Sequence, residues 1–366
     1  MRFAGVGLTR DGYRIAVLDT AVSRPATVEV YEHCVLERPV ARLVELAQLA
    51  PDGFAVVVDS GNGIFDGSLV SAGVTVFRAD PPVLTDGRVT AEALAELGRS
   101  RPEALVALGS GGWTMSGREE GITAAERASG PVERRLAAEG RLLLGGPVRR
   151  TEADGGAAGT GAGSAPMVAL TFDDGPDPEF TPQVLDVLRR YDAPAAFFCI
   201  GLHVLAHPGV VRRTAAEGHT LGNHSWSHAY LPDLGPIGLR EQLGHTSEAL
   251  AEAAGLDGPV GWLRPPYGGR SPELLDTVAD LGLTTVLWDV ETNDWALPGP
   301  EVIAERVFRQ VRPGSVVLMH DGGGDRAQTV AALPTVITGL RERGYRLVGL
   351  GELLAARVPA GRGVGT

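Results

Sequence analysis

The chain has 366 residues, 44% of them hydrophobic and 21% charged, which is enough for two or three globular domains with sizeable cores. Its formal net charge of −12 argues against nucleic acid or an anionic membrane surface as a partner, because an acidic protein gains nothing from neutralising phosphates. The chain contains no lysine, which excludes Schiff-base chemistry and the lysine of a phosphate-binding loop.

The first 150 residues alternate strand and helix patterns. An Asp-Gly step at 11–12 favours a hairpin turn between the first two strands. The predicted strands and helices of this region lie at 2–8, 13–19, 39–50 (helix), 54–59, 74–78, 91–99 (helix) and 132–140 (helix). We therefore predict a separate, smaller α/β domain over residues 1–150.

Residues 151–166, TEADGGAAGTGAGSAP, have the composition of a flexible linker. The segment contains no large apolar residue and no periodicity. The sequence thus predicts a first domain at 1–150, a linker at 151–166 and a second domain at 167–366. A fragment that begins near Met167 is expected to fold and act by itself.

The second half repeats short apolar runs with helical stretches between them. The predicted strands lie at 168–172, 195–200, 220–222, 262–264, 284–289, 315–319 and 346–350. Repeated strand-helix units imply parallel strands with right-handed crossovers, arranged as a barrel or an open sheet. We predict an α/β fold, a distorted (β/α) barrel of about seven parallel strands.

Residues able to do chemistry stand at or just after the ends of these runs. In a parallel barrel the carboxyl ends of the strands form one rim, where catalytic groups collect. The residues at the predicted rim are Asp173, Asp174, His224, Arg264, Asp289 and His320. All but one of the eight histidines follow the linker; His203, His207, His219 and His245 are expected to have solvent-facing or capping roles.

Two short motifs suggest a metal-dependent hydrolase. In HSWSH (224–228) the two histidines are four residues apart, a spacing that places both on one face of a helical turn. The segment differs from the HExxH metalloprotease motif because Ser225 replaces the glutamate base, so further ligands must come from elsewhere. TFDDGP (171–176) offers two carboxylates at a strand end, whereas a simple helix-capping turn accounts for only one.

These motifs, together with RPPYG (264–268), DVETNDW (289–295) and LMH (318–320), occur in the order of the five motifs of the NodB-homology polysaccharide deacetylases, carbohydrate esterase family 4. The resemblance covers about residues 167–354. It implies a metal-dependent hydrolase of N-acetyl groups on N-acetylglucosamine-containing oligo- or polysaccharide, such as chitin oligomers or peptidoglycan. An O-acetyl esterase for acetylated xylan and an inert carbohydrate-binding protein remain the alternatives.

The resemblance also implies roles for individual residues. Asp174, His224 and His228 would hold one divalent metal ion, with zinc expected and cobalt as the alternative. Asp173 would be the general base, braced by Arg264, and His320 the general acid, oriented by Asp294. Tyr267 would offer a backbone N–H to the oxyanion, while Trp295 and Leu318 would line the acetyl pocket. The family usually has aspartate where Glu291 stands, so substrate fit is expected to differ there.

The first domain has no motif of comparable weight. It loosely resembles a ribonuclease H-like fold, but Gly7-Leu8-Thr9 occupies the place of that fold's first-strand carboxylate, and Asp59 is interpreted as a strand cap. We predict a non-catalytic domain that binds an unknown partner or positions substrate. Because no signal peptide or apolar run of eighteen residues is seen, the chain as written is expected to be cytoplasmic, or secreted if its start is misassigned.

Overall fold

The structure is a computed structural model. It describes residues 2–9, 12–19, 27–32, 37–50, 53–58, 65, 68–70, 72–79, 90–108, 119–146 and 165–357. Asp59 and most of the predicted linker, residues 151–164, lie outside the described residues.

The N-terminal part is built on a six-stranded mixed sheet. Its strands are β1 (Arg2–Thr9), β2 (Gly12–Asp19), β3 (Thr27–Glu32), β4 (Phe54–Val58), β5 (Thr75–Ala79) and β6 (Leu105–Leu108). The strand order is β3-β2-β1-β4-β5-β6. Strands β1 to β3 form an antiparallel meander, β4 and β5 run parallel to β1, and β6 is antiparallel to β5. Strands β3 and β6 were not predicted from the sequence. Strand β3 exposes side chains on both faces, so buried and exposed residues do not alternate along it.

Helices α1 (Glu37–Gln48) and α2 (Ala91–Ser100) connect strands of this sheet. The side chain of Thr90 accepts a hydrogen bond from the Ala93 N–H and caps α2. The buried face of α2 lies directly on β1, where a side chain at Gly5 would clash with the Ala91 carbonyl. Phe3, Ala55 and Leu94 form a buried cluster within the first half. Ala4, Val56 and Val76 instead belong to a larger buried cluster that also contains Val168 and Leu170 of the C-terminal part.

The C-terminal part is a nine-stranded, wholly parallel sheet that curls into a distorted barrel. Its strands are β7 (Leu142–Leu143), β8 (Met167–Asp173), β9 (Ala195–Cys199), β10 (Thr220–Asn223), β11 (Trp262–Leu263), β12 (Thr284–Val286), β13 (Val290–Glu291), β14 (Ser315–His320) and β15 (Arg346–Leu347). The order is β13-β14-β8-β9-β10-β11-β12-β7, and β15 pairs with β8. The parallel barrel-like fold is thus confirmed, with nine strands instead of about seven.

Helices cover the outside of this sheet. They are α3 (Glu119–Ala138), α4 (Phe180–Arg190), α5 (Gly201–Ala206), α6 (Pro208–Ala216), α7 (Pro236–Ala254), α8 (Pro272–Asp280), α9 (Pro300–Gln310), α10 (Ala327–Glu342) and α11 (Leu350–Ala355). No helix within the described ranges is long and apolar enough to cross a membrane.

The predicted boundary between the two domains needs correction. Strand β7, which precedes the glycine-rich segment, pairs in parallel with β12 of the second sheet. The helix before it, α3, packs through Leu136 against Leu275 and Leu287. A two-residue strand has no periodicity that could have revealed this pairing in the sequence. Residues 119–146 therefore belong to the second sheet.

The residues that flank the glycine-rich segment meet at one point. Gly146 N–H donates to the Gly314 carbonyl, and Gly314 N–H donates to the Met167 carbonyl. Arg357 also donates to the Leu144, Gly146 and Gly314 carbonyls. The residues that flank the segment on both sides therefore contact the same part of the C-terminal sheet.

Candidate functional site

Asp173 and Asp174 end strand β8 and begin the site. Asp173 pairs in register with His320 at the end of β14, so two predicted catalytic residues are neighbours across the sheet. Asp174 adopts a left-handed backbone conformation with φ 73°. Its carbonyl lies 2.8 Å from Nδ1 of His203, which therefore has a supporting role in the site that sequence reasoning missed.

The HSWSH segment is a loop, so the predicted helical turn is wrong. Ser225 and His228 have φ values of 65° and 61°, which no α-helix accommodates. Side chains satisfy the loop backbone instead: Asn223 Oδ1 accepts from Ser225 N–H. Gln242 Oε1, from helix α7, accepts the N–H groups of residues 226 and 227. The histidines nevertheless lie side by side, with ring centroids 5.0 Å apart.

Asp174, His224 and His228 converge on one buried point. Asp174 Oδ1 lies 3.4 Å from His224 Nε2 and 3.2 Å from His228 Nε2. Asp174 Oδ1 nevertheless has no hydrogen-bond partner among the described residues. These three side chains form the one group within the described part of the chain whose ligand atoms could hold a metal ion.

The Nδ1 atoms of His224 and His228 each have a partner outside the cluster, so their Nε2 atoms face Asp174. His224 Nδ1 lies 2.7 Å from the Arg264 carbonyl, which can only accept, so Nδ1 carries a proton and Nε2 is the ring atom that faces Asp174. His228 Nδ1 lies 2.9 Å from the Tyr267 hydroxyl. A carboxylate oxygen and two imidazole nitrogens then face each other at a buried point, an arrangement that a cation stabilises. The residues fit a divalent metal.

Burial and neighbouring charges shift the pKa values of Asp174 and His228 in opposite directions. Burial tends to raise the pKa of Asp174, but the facing His228 and His224 outweigh it and hold that pKa well below its usual range. Burial lowers the pKa of His228 despite the nearby Asp174. An ionised carboxylate beside a neutral imidazole is the protonation state that metal binding requires.

Arg264 is fully buried beneath Asp173. Its Nη1 donates to Asp173 Oδ1 and to Thr171 Oγ1, both at 2.7 Å. Its guanidinium lies 4.3 Å from the centre of the Phe198 ring, a cation–π contact that helps to stabilise a buried charge. Asp173 is therefore held in one orientation, while its Oδ2 lies 3.7 Å from His224 Nε2.

His320 and Asp294 form the second charged pair. His320 Nδ1 lies 2.7 Å from Asp294 Oδ1, and His320 N–H donates to Asp294 Oδ2 at 2.9 Å. Thr329 Oγ1 also donates to Asp294 Oδ2, and Thr292 Oγ1 lies 3.2 Å from Oδ1. Asp294 is fully buried with its carboxylate satisfied, which locks the imidazole in place.

This pair keeps the imidazole charged at neutral pH. Burial tends to lower the pKa of His320, but Asp294, assisted by Asp174 and Asp173, raises it to about 9. Burial tends to raise the pKa of Asp294, and the His320 imidazolium with its hydrogen bonds outweighs this and lowers it. The His320 imidazole can therefore act as a proton donor near Asp173 and Asp174.

The three predicted substrate-binding residues have different surroundings. Tyr267 lies in a turn with φ 60° and is partly exposed beside His228. Trp295 is 57% exposed on a short turn after Asp294, so it can meet a ligand from solvent. Leu318 is buried on β14. Asp289, also placed at the rim from sequence, instead accepts from Ser315 Oγ and Val316 N–H and stays outside the site.

A glycine-rich loop after β14 was missed in the sequence. A side chain at Gly322 would clash with the Asp174 backbone, so this loop lies directly on the predicted metal ligand. Buried Arg326 holds it by donating to the Gly322, Gly323 and Asp325 carbonyls. Within it, burial together with Asp174 and Asp173 raises the pKa of Asp321 to about 7. The run DGGGDR directly after LMH was the available signal.

Comparisons with known proteins agree with this geometry. The family model for polysaccharide deacetylase matches residues 160–286. The chain is 41% identical over 199 residues to a peptidoglycan-N-acetylglucosamine deacetylase of Bacillus cereus, covering 51% of this chain and 88% of that protein. It is 42% identical over 200 residues to a chitooligosaccharide deacetylase of Sinorhizobium fredii, covering 51% of this chain and 90% of that protein.

A solved structure extends the likeness beyond these sequence matches. It is a peptidoglycan N-acetylglucosamine deacetylase in complex with 4-naphthalen-1-yl-N-oxidanyl-benzamide, with 34% identity and a TM-score of 0.53. The likeness covers 96% of that chain and 61% of this one, which is more than residues 167–366 can supply by themselves. Part of the chain before the glycine-rich segment therefore shares that fold. The chain belongs to the polysaccharide deacetylase family, the NodB-homology hydrolases of carbohydrate esterase family 4.

Proposed function

We propose that this protein is a metal-dependent N-deacetylase that acts on the N-acetylglucosamine units of an oligo- or polysaccharide. The observation that carries the proposal is the placement of two proton-transfer groups, Asp173 with Arg264 and His320 with Asp294, beside one possible metal site. Peptidoglycan and chitooligosaccharides are the candidate substrates, since the relatives named above are deacetylases of these sugars.

Asp174, His224 and His228 are proposed to hold the metal, with zinc first and cobalt second. Two imidazoles and one carboxylate leave a coordination position open, as catalytic zinc sites do. When bound, such a metal supplies Lewis acidity that polarises the acetyl carbonyl and lowers the pKa of water.

Asp173 is proposed as the general base. Its Oδ1 accepts from Arg264, which leaves Oδ2 to take a proton from the attacking water. Asp174 cannot share this task, because its carboxylate is directed at the two histidines.

His320 is proposed as the general acid that protonates the leaving amine. An amine leaves poorly unless it gains a proton as the carbon–nitrogen bond breaks. With its pKa raised to about 9, the imidazole carries that proton at neutral pH. Nδ1 is taken up by Asp294, so Nε2 is the atom that donates.

Three further residues are proposed to bind the substrate. The Tyr267 backbone N–H would stabilise the oxyanion, as preorganised donors do in acyl transfer. The buried Leu318 and the exposed Trp295 ring would line the acetyl pocket. Glu291, exposed on β13, is proposed to alter substrate fit where relatives of this family have aspartate.

The N-terminal sheet is proposed to be non-catalytic and to bind a partner or position substrate. The resemblance to a ribonuclease H-like domain stays a prediction. On β1 no carboxylate occupies the place that a two-metal nuclease would use.

Acetate release tests the proposal. Full-length protein loaded with zinc would be incubated with chitooligosaccharides, peptidoglycan fragments and acetylated xylan. We expect acetate from the amino-sugar substrates, loss of activity on chelation and recovery with zinc or cobalt. Acetate from xylan alone would identify an O-acetyl esterase, and no acetate from any of the three would refute deacetylation.

A further inference from the structure

The turn that contains Tyr267 is strained. Tyr267 and Gly268 both have left-handed backbones, with φ values of 60° and 67°. A non-glycine residue in this region costs free energy and persists only where its surroundings hold it. The turn also matters for the site, because the Tyr267 hydroxyl lies 2.9 Å from Nδ1 of His228.

Arg270 holds this turn from behind. Its Nη1 donates to the Gly268 carbonyl at 2.7 Å, immediately after the strained pair. Its Nε donates at 2.8 Å to Glu133 Oε1, on helix α3. Glu126 of the same helix lies farther away, 3.8 Å from Nη2. Glu133 is thus the residue that fixes the direction of the guanidinium.

The Glu133–Arg270 pair is shielded enough to act as a clamp. The side chains are 19% and 21% exposed, whereas the neighbouring pair Arg135–Asp276, which joins α3 to α8, is more than half exposed on both sides. A charge-assisted hydrogen bond gains strength as water is excluded. Removal of the carboxylate would free Arg270 to turn toward solvent.

We infer that Glu133 is a positioning residue for the deacetylation site: through Arg270 it holds the Tyr267–Gly268 turn in the conformation that Tyr267 needs. This inference rests on the proposed function for the role of Tyr267. Glu133 lies outside residues 160–286, which the family model matches. The helix before the glycine-rich segment therefore takes part in the chemistry of the barrel.

Hydrogen exchange of the full-length protein tests the clamp without any need for activity. The Gly268 and Gly269 N–H groups donate to the Pro265 and Pro266 carbonyls at 3.0 Å, so their exchange reports on the turn. We expect Glu133→Ala to speed this exchange about tenfold, and Glu133→Gln, which keeps an acceptor oxygen, to have a smaller effect. Alanine is a good helix former, so α3 itself should not weaken.

Arg135→Gln is the matched control, since it removes the exposed ion pair that joins α3 to Asp276 of α8 and leaves Arg270 untouched. It should leave exchange of the turn unchanged. In kinetics on a chitooligosaccharide at saturating zinc, Glu133→Ala should lower kcat about tenfold, and Arg135→Gln should not. Unchanged exchange in Glu133→Ala, or an equal change in Arg135→Gln, would overturn the inference. Absence of acetate release by the wild type would refute the proposed function, while the exchange data would still decide the clamp.

Discussion

His320 Nδ1 lies 2.7 Å from Asp294 Oδ1, and the same carboxylate accepts the backbone N–H of His320 at 2.9 Å. The buried carboxylate therefore sets both the orientation and the charge of the imidazole. Burial lowers the pKa of His320, and Asp294 is the strongest of the groups that raise it.

Replacement of Asp294 should move the basic limb of the pH profile. His320 acts while protonated, so activity is lost as pH rises through its pKa, which Asp294 raises to about 9. In Asp294→Asn the limb of kcat/KM against pH should lie about 1–3 units lower, because an opposite charge at this distance shifts a pKa by that amount. Thr329→Val, which removes a neutral donor to the same carboxylate, should shift it less. If the basic limb of the Asp294→Asn profile lies at the same pH as in the wild type, that limb reports a group other than His320.

The loss in rate caused by removing the His320 imidazole should depend on the leaving group of the substrate. His320→Ala should keep its metal, since His320 is not among the three candidate ligands, and lose about 10²–10⁴-fold in rate on N-acetylated sugar. The loss should be smaller on an activated aryl acetate, whose leaving group needs no proton. Equal losses on both substrates, measured side by side, would remove His320 from the role of acid.

Substitution of Asp173 and substitution of Asp174 should have different effects on the zinc content of the protein. Asp174→Asn and His224→Ala should lose zinc, because each removes a candidate ligand. Asp173→Asn should retain zinc and still lose about 10²–10⁴-fold in rate, because its side chain is bound to Arg264 and acts as base. Zinc content measured by atomic absorption tests the prediction. Loss of zinc in Asp173→Asn and its retention in Asp174→Asn would mean that Asp173 is the ligand and Asp174 the base.

Tyr267→Phe should weaken metal binding while the backbone N–H stays in place. The Tyr267 hydroxyl is 2.9 Å from His228 Nδ1, and loss of such a partner behind a metal ligand costs about 10–100-fold in affinity. A zinc titration against a chromophoric chelator would measure this. Equal zinc affinity in both proteins would contradict a role for the hydroxyl in orienting His228.

A fragment that begins at Met167 should be much less stable than one that begins at Glu119, contrary to the expectation from composition. The shorter fragment lacks three buried leucines, Leu136, Leu142 and Leu143. Each buried leucine stabilises by about 1.5–3 kcal/mol, a large share of the roughly 5–15 kcal/mol of a whole domain. Thermal unfolding of both fragments tests this; equal Tm values would show that β7 and α3 are dispensable.

The sequence alone was enough to predict the parallel barrel and the candidate residues at the ends of its strands. Strands such as β8 and β14 are continuous apolar runs, and the residues that follow them lie at one rim because parallel strands end together. Asp173, Asp174 and His320 were found by this rule, and their short motifs carried the resemblance to the family.

Only the tertiary structure decided how the site is supported. The HSWSH loop is left-handed at Ser225 and His228 because Gln242, from a distant helix, satisfies its backbone, and no local pattern encodes that. Strand β7 is too short to have a period, so its place in the barrel depends on pairing with β12. The Glu133–Arg270 pair joins residues 137 positions apart. The hydrophobic periodicity of a strand or helix is a local property of the sequence and can be predicted from it. Contacts between distant segments form only when the whole core packs.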